Sequence, residues 1–299
     1  MTTSPFVLVP APAFVGRGLK GTDRLPRALL DAGLADRLLA DVIDGPGPMT
    51  WPRALDAVAE QPPFDVIRDY LLRLADDVEA VLRDGCMPIV LGGDCTMLLG
   101  AGAACQRVSV DGLLFVDAHT DFWPLGDPDW ETASCELRLV TGFAPDGMPD
   151  GLTGLTKRSC FDAAHVAALG FRDGSDEGEA GAALRETAIL RLPLAHIRDR
   201  GFGNAVDAAL DRVASQERRF WLHLDLDVLD DAVLPAVDYR LPGGLSVGEV
   251  AAILRRACET GVLAGMTVTI LNPDLDHDGR QTALAVDLLA AGLRMDEAR

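Results

Sequence analysis

Leu113-Leu114-Phe115-Val116-Asp117-Ala118-His119-Thr120-Asp121 is an apolar strand that runs directly into an acid, an imidazole and a second acid at alternate positions. In extended chain, residues two apart point to the same side, so Asp117, His119 and Asp121 can converge where the strand ends. Two carboxylates and an imidazole gathered there repel unless a cation sits among them. A run that is apolar at every position suits a strand covered on both faces, as in a parallel sheet. In open parallel sheets, ligands bind outside the carboxyl ends of the strands. The competing reading of the same residues is a solvated loop with a helix-capping Asp.

Along the rest of the chain, short apolar runs alternate with helical patterns. The runs are Phe6 to Val9, Pro88 to Leu91, Leu113 to Val116, Val166 to Gly170, Phe220 to Asp225 and Met266 to Leu271. Tyr70 to Arg83 carries apolar residues at three- and four-residue spacing, which places them on one helical face, and Ser246 to Glu259 reads alike. Repeated strand–helix alternation predicts a mostly parallel sheet with helices on both faces. No internal repeat or linker divides residues 1–299, so one domain is expected. Asp44 to Trp51, Asp127 to Thr132, Pro145 to Lys157 and Gly174 to Gly181 are rich in Gly, Pro and Asp and read as loops.

Two more strand ends carry polar clusters. In Phe220-Trp221-Leu222-His223-Leu224-Asp225-Leu226-Asp227, the Leu residues share one face, and His223, Asp225 and Asp227 share the other. Carboxylates on a buried strand are costly unless paired or holding a metal, although an edge strand with a wet face would also accept them. Ile89-Val90-Leu91-Gly92-Gly93-Asp94-Cys95-Thr96 brings a strand to two glycines and then a helical stretch. Here Asp94 reads as a helix N-cap and Cys95 as a small buried thiol. His165, His196 and His277 lack such context. Asp274, Asp276 and Asp278 read as a solvated turn, because the terminal Glu of a calcium loop is missing.

Composition narrows the partners. The 299 residues include 27 Lys and Arg against 46 Asp and Glu, a net charge of −19, with 48% hydrophobic and 24% charged residues. That balance excludes intrinsic disorder. Six scattered cysteines do not make a disulfide framework; they fit a reducing, cytoplasmic compartment. The acidic excess argues against nucleic acid and anionic membrane as partners and favours cations. No run approaches the roughly 18 apolar residues of a membrane span, and the N-terminus lacks the pattern of a secretory signal.

Taken in order, the three clusters resemble the arginase, agmatinase and formiminoglutamase family of ureohydrolases. Asp117-Ala-His119-Thr-Asp121 matches the family's DAHxD, and Gly92-Gly-Asp94-Cys95-Thr96 its GGDH[ST] with Cys in place of His. Asp225-Leu-Asp227-Val-Leu-Asp230-Asp231 matches DxDxxDP with Asp for the final Pro, and Pro242-Gly-Gly-Leu-Ser246 matches PGGLS. Fainter echoes are the Gly-rich Gly16 to Pro26, Gly170-Phe-Arg172-Asp173 and Asn272-Pro273.

The resemblance implies a three-layer α/β ureohydrolase fold with a mostly parallel central sheet, assembled as a homo-oligomer, a trimer or hexamer. It implies two divalent ions, Mn²⁺ by family habit, held by Cys95, Asp117, His119, Asp121, Asp225 and Asp227, with Asp117 and Asp225 bridging. A thiolate at Cys95 would shift preference toward Zn²⁺ or Fe²⁺. A metal-bridging hydroxide would attack a planar carbon bearing nitrogen, with Asp121 moving the proton. Around the substrate stand Asp173 and Asp176, where arginases hold an ammonium, Trp123 in place of an Asn, and Ile270 in place of the guanidinium-anchoring Glu. Ser134, Cys135 or Glu136 occupies the neighbourhood of the family's proton-shuttling His. The expected activity is therefore C–N hydrolysis of a guanidino, modified-guanidino or amidine-like small molecule other than arginine or agmatine. A non-catalytic metal-binding descendant is the alternative, and a single-metal deacylase of the histone-deacetylase kind a more distant one.

Overall fold

The computed structural model describes residues 5–16, 19–50, 63–124, 131–143, 151–152, 155, 159–172 and 178–293. Eight strands form one sheet: β1 Phe6–Ala11, β2 Asp41–Val42, β3 Met87–Gly92, β4 Gly112–Val116, β5 Val166–Leu169, β6 Leu190–Leu192, β7 Phe220–Asp225 and β8 Leu263–Thr269. Their order across the sheet is β2-β1-β3-β8-β7-β4-β5-β6, and every pairing is parallel. The six expected strands are all present. β2 and β6 carry too few residues to show a period in sequence. β8 stops at Thr269 because Ile270 turns to φ 74°, and β5 stops at Leu169 because Gly170 lies at φ 101°.

Alternation along each strand feeds two apolar cores, one per face. Leu8, Leu91, Leu114, Val116, Leu222 and Leu224 face one core, whereas Val9, Val90, Leu113, Phe115 and Trp221 face the other. The helices Phe202–Val213, Val247–Glu259 and Arg280–Leu293 cover the first; Phe64–Arg83 and Met97–Arg107 cover the second. This is the helix–sheet–helix sandwich that the strand–helix alternation predicts.

Helix boundaries follow local chemistry. Phe64–Arg83 begins six residues before the expected Tyr70, directly after Pro63, whose fixed φ suits a helix entrance. Val247–Glu259 is entered through a capping box: Ser246 Oγ accepts from Glu249 N at 3.2 Å, and Glu249 Oε2 from Ser246 N at 2.8 Å. Of the stretch from Gly174 to Gly181, read as a loop, residues 174–177 lie outside the described residues and 178–181 begin the helix Gly178–Arg185. Its Ala-rich sequence favours helix more than its glycines oppose it.

The chain leaves β4 toward β5 on one side and leaves β7 toward β8 on the other, yet β4 and β7 are neighbours. Such a divergence opens a crevice at the carboxyl ends of the two strands. DAHxD follows β4, and the DxD of Asp225 and Asp227 spans the end of β7.

Candidate metal centre

The ends of β4 and β7 are laced together by their acids. Asp117 Oδ1 accepts from His119 N at 2.6 Å, and Asp225 Oδ1 accepts from Asp227 N at 2.7 Å. Each carboxylate thus turns its own chain so that the residue two further on faces the crevice. Asp227 then crosses over: its Oδ1 accepts from Ala118 N at 3.2 Å, and its Oδ2 lies 3.0 Å from His119 Nδ1. His119 Nδ1 is also 3.7 Å from Asp117 Oδ1. Asp117, Asp225 and Asp227 are 1–4% exposed.

Cys95 follows β3 through a turn in which Gly93 leaves no room for a side chain. A Cβ on Gly93 would lie 1.5 Å from the carbonyl oxygen of Ala13. The buried thiol donates to Asp225 Oδ2 at 2.7 Å and lies 3.4 Å from Thr269 Oγ1. Asp94 does not cap the following helix as expected. Its Oδ2 accepts from Val15 N and from Gly16 N (2.8 Å), and its Oδ1 from Thr96 N at 3.0 Å. It clamps the loop after β1 to the turn after β3, a long-range role invisible to a local capping rule.

Two further side chains reach the crevice floor. Glu136 opens the helix Glu136–Val140 and is fully buried. Apart from its own backbone and the carboxyl group of Asp121, neither of its oxygens meets a partner. His223, fully buried in β7, has Nδ1 2.7 Å from Thr267 Oγ1, while Nε2 has no partner. Ligand atoms of Cys95, Asp117, Glu136 and His223 all lie within 4.8 Å of one another, and so do those of Asp117, His119 and Asp227. Asp117 belongs to both groups, and its Oδ2 is likewise unpartnered.

Without cations the cluster is electrostatically frustrated. Burial first, and the neighbouring carboxylates second, hold Asp117 and Asp225 well above the carboxylate range. Glu136 is raised well by burial and then by Asp121. Asp121 is raised by burial, against hydrogen bonding to Glu136. Burial also lifts the Cys95 thiol, and Asp225 adds to it. Asp227 goes the other way: burial opposes ionisation, but the charge and hydrogen bond of His119 outweigh it. His119 is raised correspondingly, as Asp227 and Asp117 overcome burial, while burial pushes His223 down to about 3. Buried polar atoms in proteins are nearly always partnered, so an unpartnered Asp117 Oδ2 and His223 Nε2, beside a Glu136 carboxyl group held against another acid, are an anomaly that positive charge removes. Oxygen, nitrogen and sulfur donors in two groups sharing a carboxylate fit a pair of divalent cations.

The crevice opens into a cavity of about 450 Å³ lined by Cys95, His119, Asp121, Trp123, Ser134, Asp225, Asp227 and Ile270, with Leu19, Glu131, Ala133 and Tyr239 completing its wall. Asp121 sits there at φ 42° and Ile270 at φ 74°, both in the left-handed region. For a β-branched residue that is a strained position. Trp123 and Ile270, named from sequence as substrate-side residues, both face the cavity. Asp173 and Asp176 lie outside the described residues. Of the three candidates for the shuttle neighbourhood, Ser134 lines the cavity and Glu136 lies beneath it. Cys135 turns away, donating to the backbone oxygens of Glu131 and Thr132 at 3.2 and 3.8 Å. What the sequence reading missed is the inward aim of Glu136 and His223. The available signal was an acid and an imidazole inside otherwise apolar segments.

The fainter motifs have scaffolding roles. Arg172 reaches the carbonyl oxygens of Leu229 and Leu241, each at 3.3 Å, pinning the loop after β7. Asn272 Nδ2 donates to Asp238 Oδ2 at 2.9 Å and to Lys20 O at 3.3 Å, so it joins three loops around the cavity mouth. Gly21 passes so near that a Cβ there would sit 2.2 Å from Asn272 Oδ1. His196 and His277 are exposed, consistent with their lack of sequence context.

The profile described as "Arginase family" matches residues 4–293 of this chain. Human arginase-1 is 28% identical over 305 aligned residues, which cover 96% of this chain and 92% of the human one. The arginase of Schizosaccharomyces pombe is 30% identical over 225 residues, 74% of this chain and 68% of that one. Among solved structures, the arginase of Bacillus caldovelox superposes with a TM-score of 0.85 at 23% identity, over 99% of this chain and 100% of that one.

Proposed function

The chain belongs to the arginase family, and from that premise we propose that it hydrolyses a C–N bond in a small guanidino, modified-guanidino or amidine-like molecule other than arginine and agmatine. The observation that carries the reading is the pair of ligand groups, one buried and one with His119 part-exposed, that share Asp117 at the floor of the cavity. Cys95, Asp117, His119, Asp121, Asp225 and Asp227 are the proposed metal-holding set, with Mn²⁺ the family expectation and Zn²⁺ or Fe²⁺ favoured by sulfur. Bound divalent ions supply Lewis acidity and lower the pKa of water.

The chain's own residues do the rest. Asp121 faces the cavity with its carboxyl group against Glu136, where it can take a proton from attacking water and return it to the departing nitrogen. His119, whose Nδ1 lies 3.0 Å from Asp227 Oδ2, stands at the cavity wall as one of the residues that would hold a cation there. Trp123 and Ile270 give the substrate side an apolar surface. A guanidinium packed against Ile270 would lack a carboxylate at that point, and an unpaired buried charge is costly. That supports a neutral or modified nitrogen centre over arginine. The small-molecule partner, a homo-oligomeric assembly and a cytoplasmic location remain part of the proposal. Among the described residues no helix is long and apolar enough to cross a membrane.

The test is to load the protein with Mn²⁺, Zn²⁺ or Fe²⁺ and screen guanidino, hydroxyguanidino, formimino and N-acyl compounds for urea, ammonia or amine release. Activity that disappears in Asp227→Ala supports the reading. Silence across the panel with every metal contradicts it.

A further inference from the structure

We propose that Glu136 and His223, neither of which belongs to the six-position family pattern, join Cys95 and Asp117 as ligands of one cation, making a sulfur–nitrogen–dicarboxylate site that prefers a Zn²⁺-like ion to Mn²⁺. The inference rests on the metal-holding part of the reading above and not on catalysis.

Geometry and orphaned atoms point to it independently. The four donor groups lie within 4.8 Å of one another, and all four residues are buried. Oδ2 of Asp117 and Nε2 of His223 have no partner, and the oxygens of Glu136 meet none beyond its own backbone and the Asp121 carboxyl group. Glu136 is fully buried with its carboxyl group against another carboxyl group, that of Asp121, a pairing that a cation between them would relieve.

His223 is prepared in the way metal-binding imidazoles are. Its Nδ1 is fixed at 2.7 Å from Thr267 Oγ1, and its ring stacks on Phe115 with centroids 4.9 Å apart and planes 17° from parallel. The far nitrogen is thereby aimed, with tautomer and ring plane set by the surrounding residues. The arrangement is built by register: Phe115, His223 and Thr267 are direct partners across β4, β7 and β8.

Donor chemistry distinguishes the two groups. Thiolate and imidazole with carboxylates suit tetrahedral Zn²⁺, Co²⁺ or Fe²⁺. Asp117, His119 and Asp227 offer mostly oxygen, which suits Mn²⁺. The cysteine in the GGDC turn is then one half of a coordinated change, with His223 restoring an imidazole from β7, two strands away across β8.

Stoichiometric Co²⁺ added anaerobically to the metal-free protein tests the assignment without any substrate. The expected result is two ions per chain, a thiolate-to-Co²⁺ charge-transfer band in the near ultraviolet, and tetrahedral visible bands. Cys95→Ser should abolish the charge-transfer band. Glu136→Gln and His223→Gln should each weaken one of the two ions at least about tenfold, with circular dichroism unchanged. Two ions bound with no thiolate band, or both variants binding like the parent, would overturn this ligand set while leaving the proposed function standing. No Co²⁺ bound at all would overturn both. Should either variant misfold, competition in the parent protein decides. With Mn²⁺ and Zn²⁺ at equal concentration, at least one bound ion should be Zn²⁺, and two bound Mn²⁺ would contradict the assignment.

Discussion

The Cys95 thiol lies 2.7 Å from Asp225 Oδ2, so sulfur occupies the place where the family pattern carries an imidazole. Carboxylate and thiol are within reach of one cation. Cys95→His is therefore expected to keep or raise Mn²⁺ occupancy while weakening Zn²⁺, at a packing cost of roughly 1–3 kcal/mol for the larger ring. Competition dialysis reads the exchange, and loss of every ion in the folded variant would contradict the placement of Cys95.

Ile270 holds a left-handed backbone at φ 74° and faces the cavity. Its amide is committed to Gly93 O at 2.9 Å, so the strand end cannot relax by turning away. Glu at this position removes a β-branched side chain from strained backbone and puts a carboxylate on the substrate side. Ile270→Glu is expected to raise kcat/KM for agmatine or arginine at least about tenfold, the order of one charge-assisted hydrogen bond. Unchanged or lower guanidine turnover in a folded, metal-loaded variant would contradict the assigned role of Ile270.

Asp94 accepts from three backbone amides, two of them 78 and 79 residues distant in sequence. Asn is the same size but has one acceptor oxygen, and its amide would face an N–H. Asp94→Asn should destabilise the fold by about 1–3 kcal/mol. Urea unfolding with an unchanged slope and a lower midpoint would report it, and an unshifted midpoint would count against the clamp.

Asp276 anchors the start of the helix Arg280–Leu293. Its Oδ2 accepts from Thr282 N at 2.7 Å and Thr282 Oγ1 at 2.6 Å, and its Oδ1 from Gln281 N at 3.1 Å. Partial burial opposes ionisation, but these hydrogen bonds outweigh it and hold the carboxyl below its ordinary value. The folded state therefore binds this proton more weakly than the unfolded state. The stabilisation is present at neutral pH and is lost as pH falls below about 4, through the carboxylate range. Asp276→Ala should cost about 1 kcal/mol at pH 7 and progressively less on acidification. A difference that stays constant down to pH 3 would refute the linkage.

How much of this was legible in the sequence depended on whether the signal was local. Leu113 to Asp121 announced both a buried strand and its polar end, because side-chain alternation and the switch to acids occur within nine residues. The pairing of β4 with β7 was not local, and it is that pairing which brings Asp227 to His119. Asp94 read as a cap because its true partners lie beside another strand. Glu136 looked like one of three residues near a missing His, and His223 like a face-mate of Asp225. Only their packing shows both aimed at a point shared with Cys95 and Asp117. The turn at Asp274, Asp276 and Asp278 was recognised, but the carboxylate of Asp276 is partly buried and serves the following helix.

The central claim is that this buried acid cluster exists to hold divalent cations. Elemental analysis of the protein after metal loading and exhaustive dialysis, paired with thermal unfolding before and after chelation, tests it most directly. The account predicts two ions per chain and a melting temperature that falls when they are stripped. Protein that retains no ion, with a melting temperature indifferent to chelator, would contradict it.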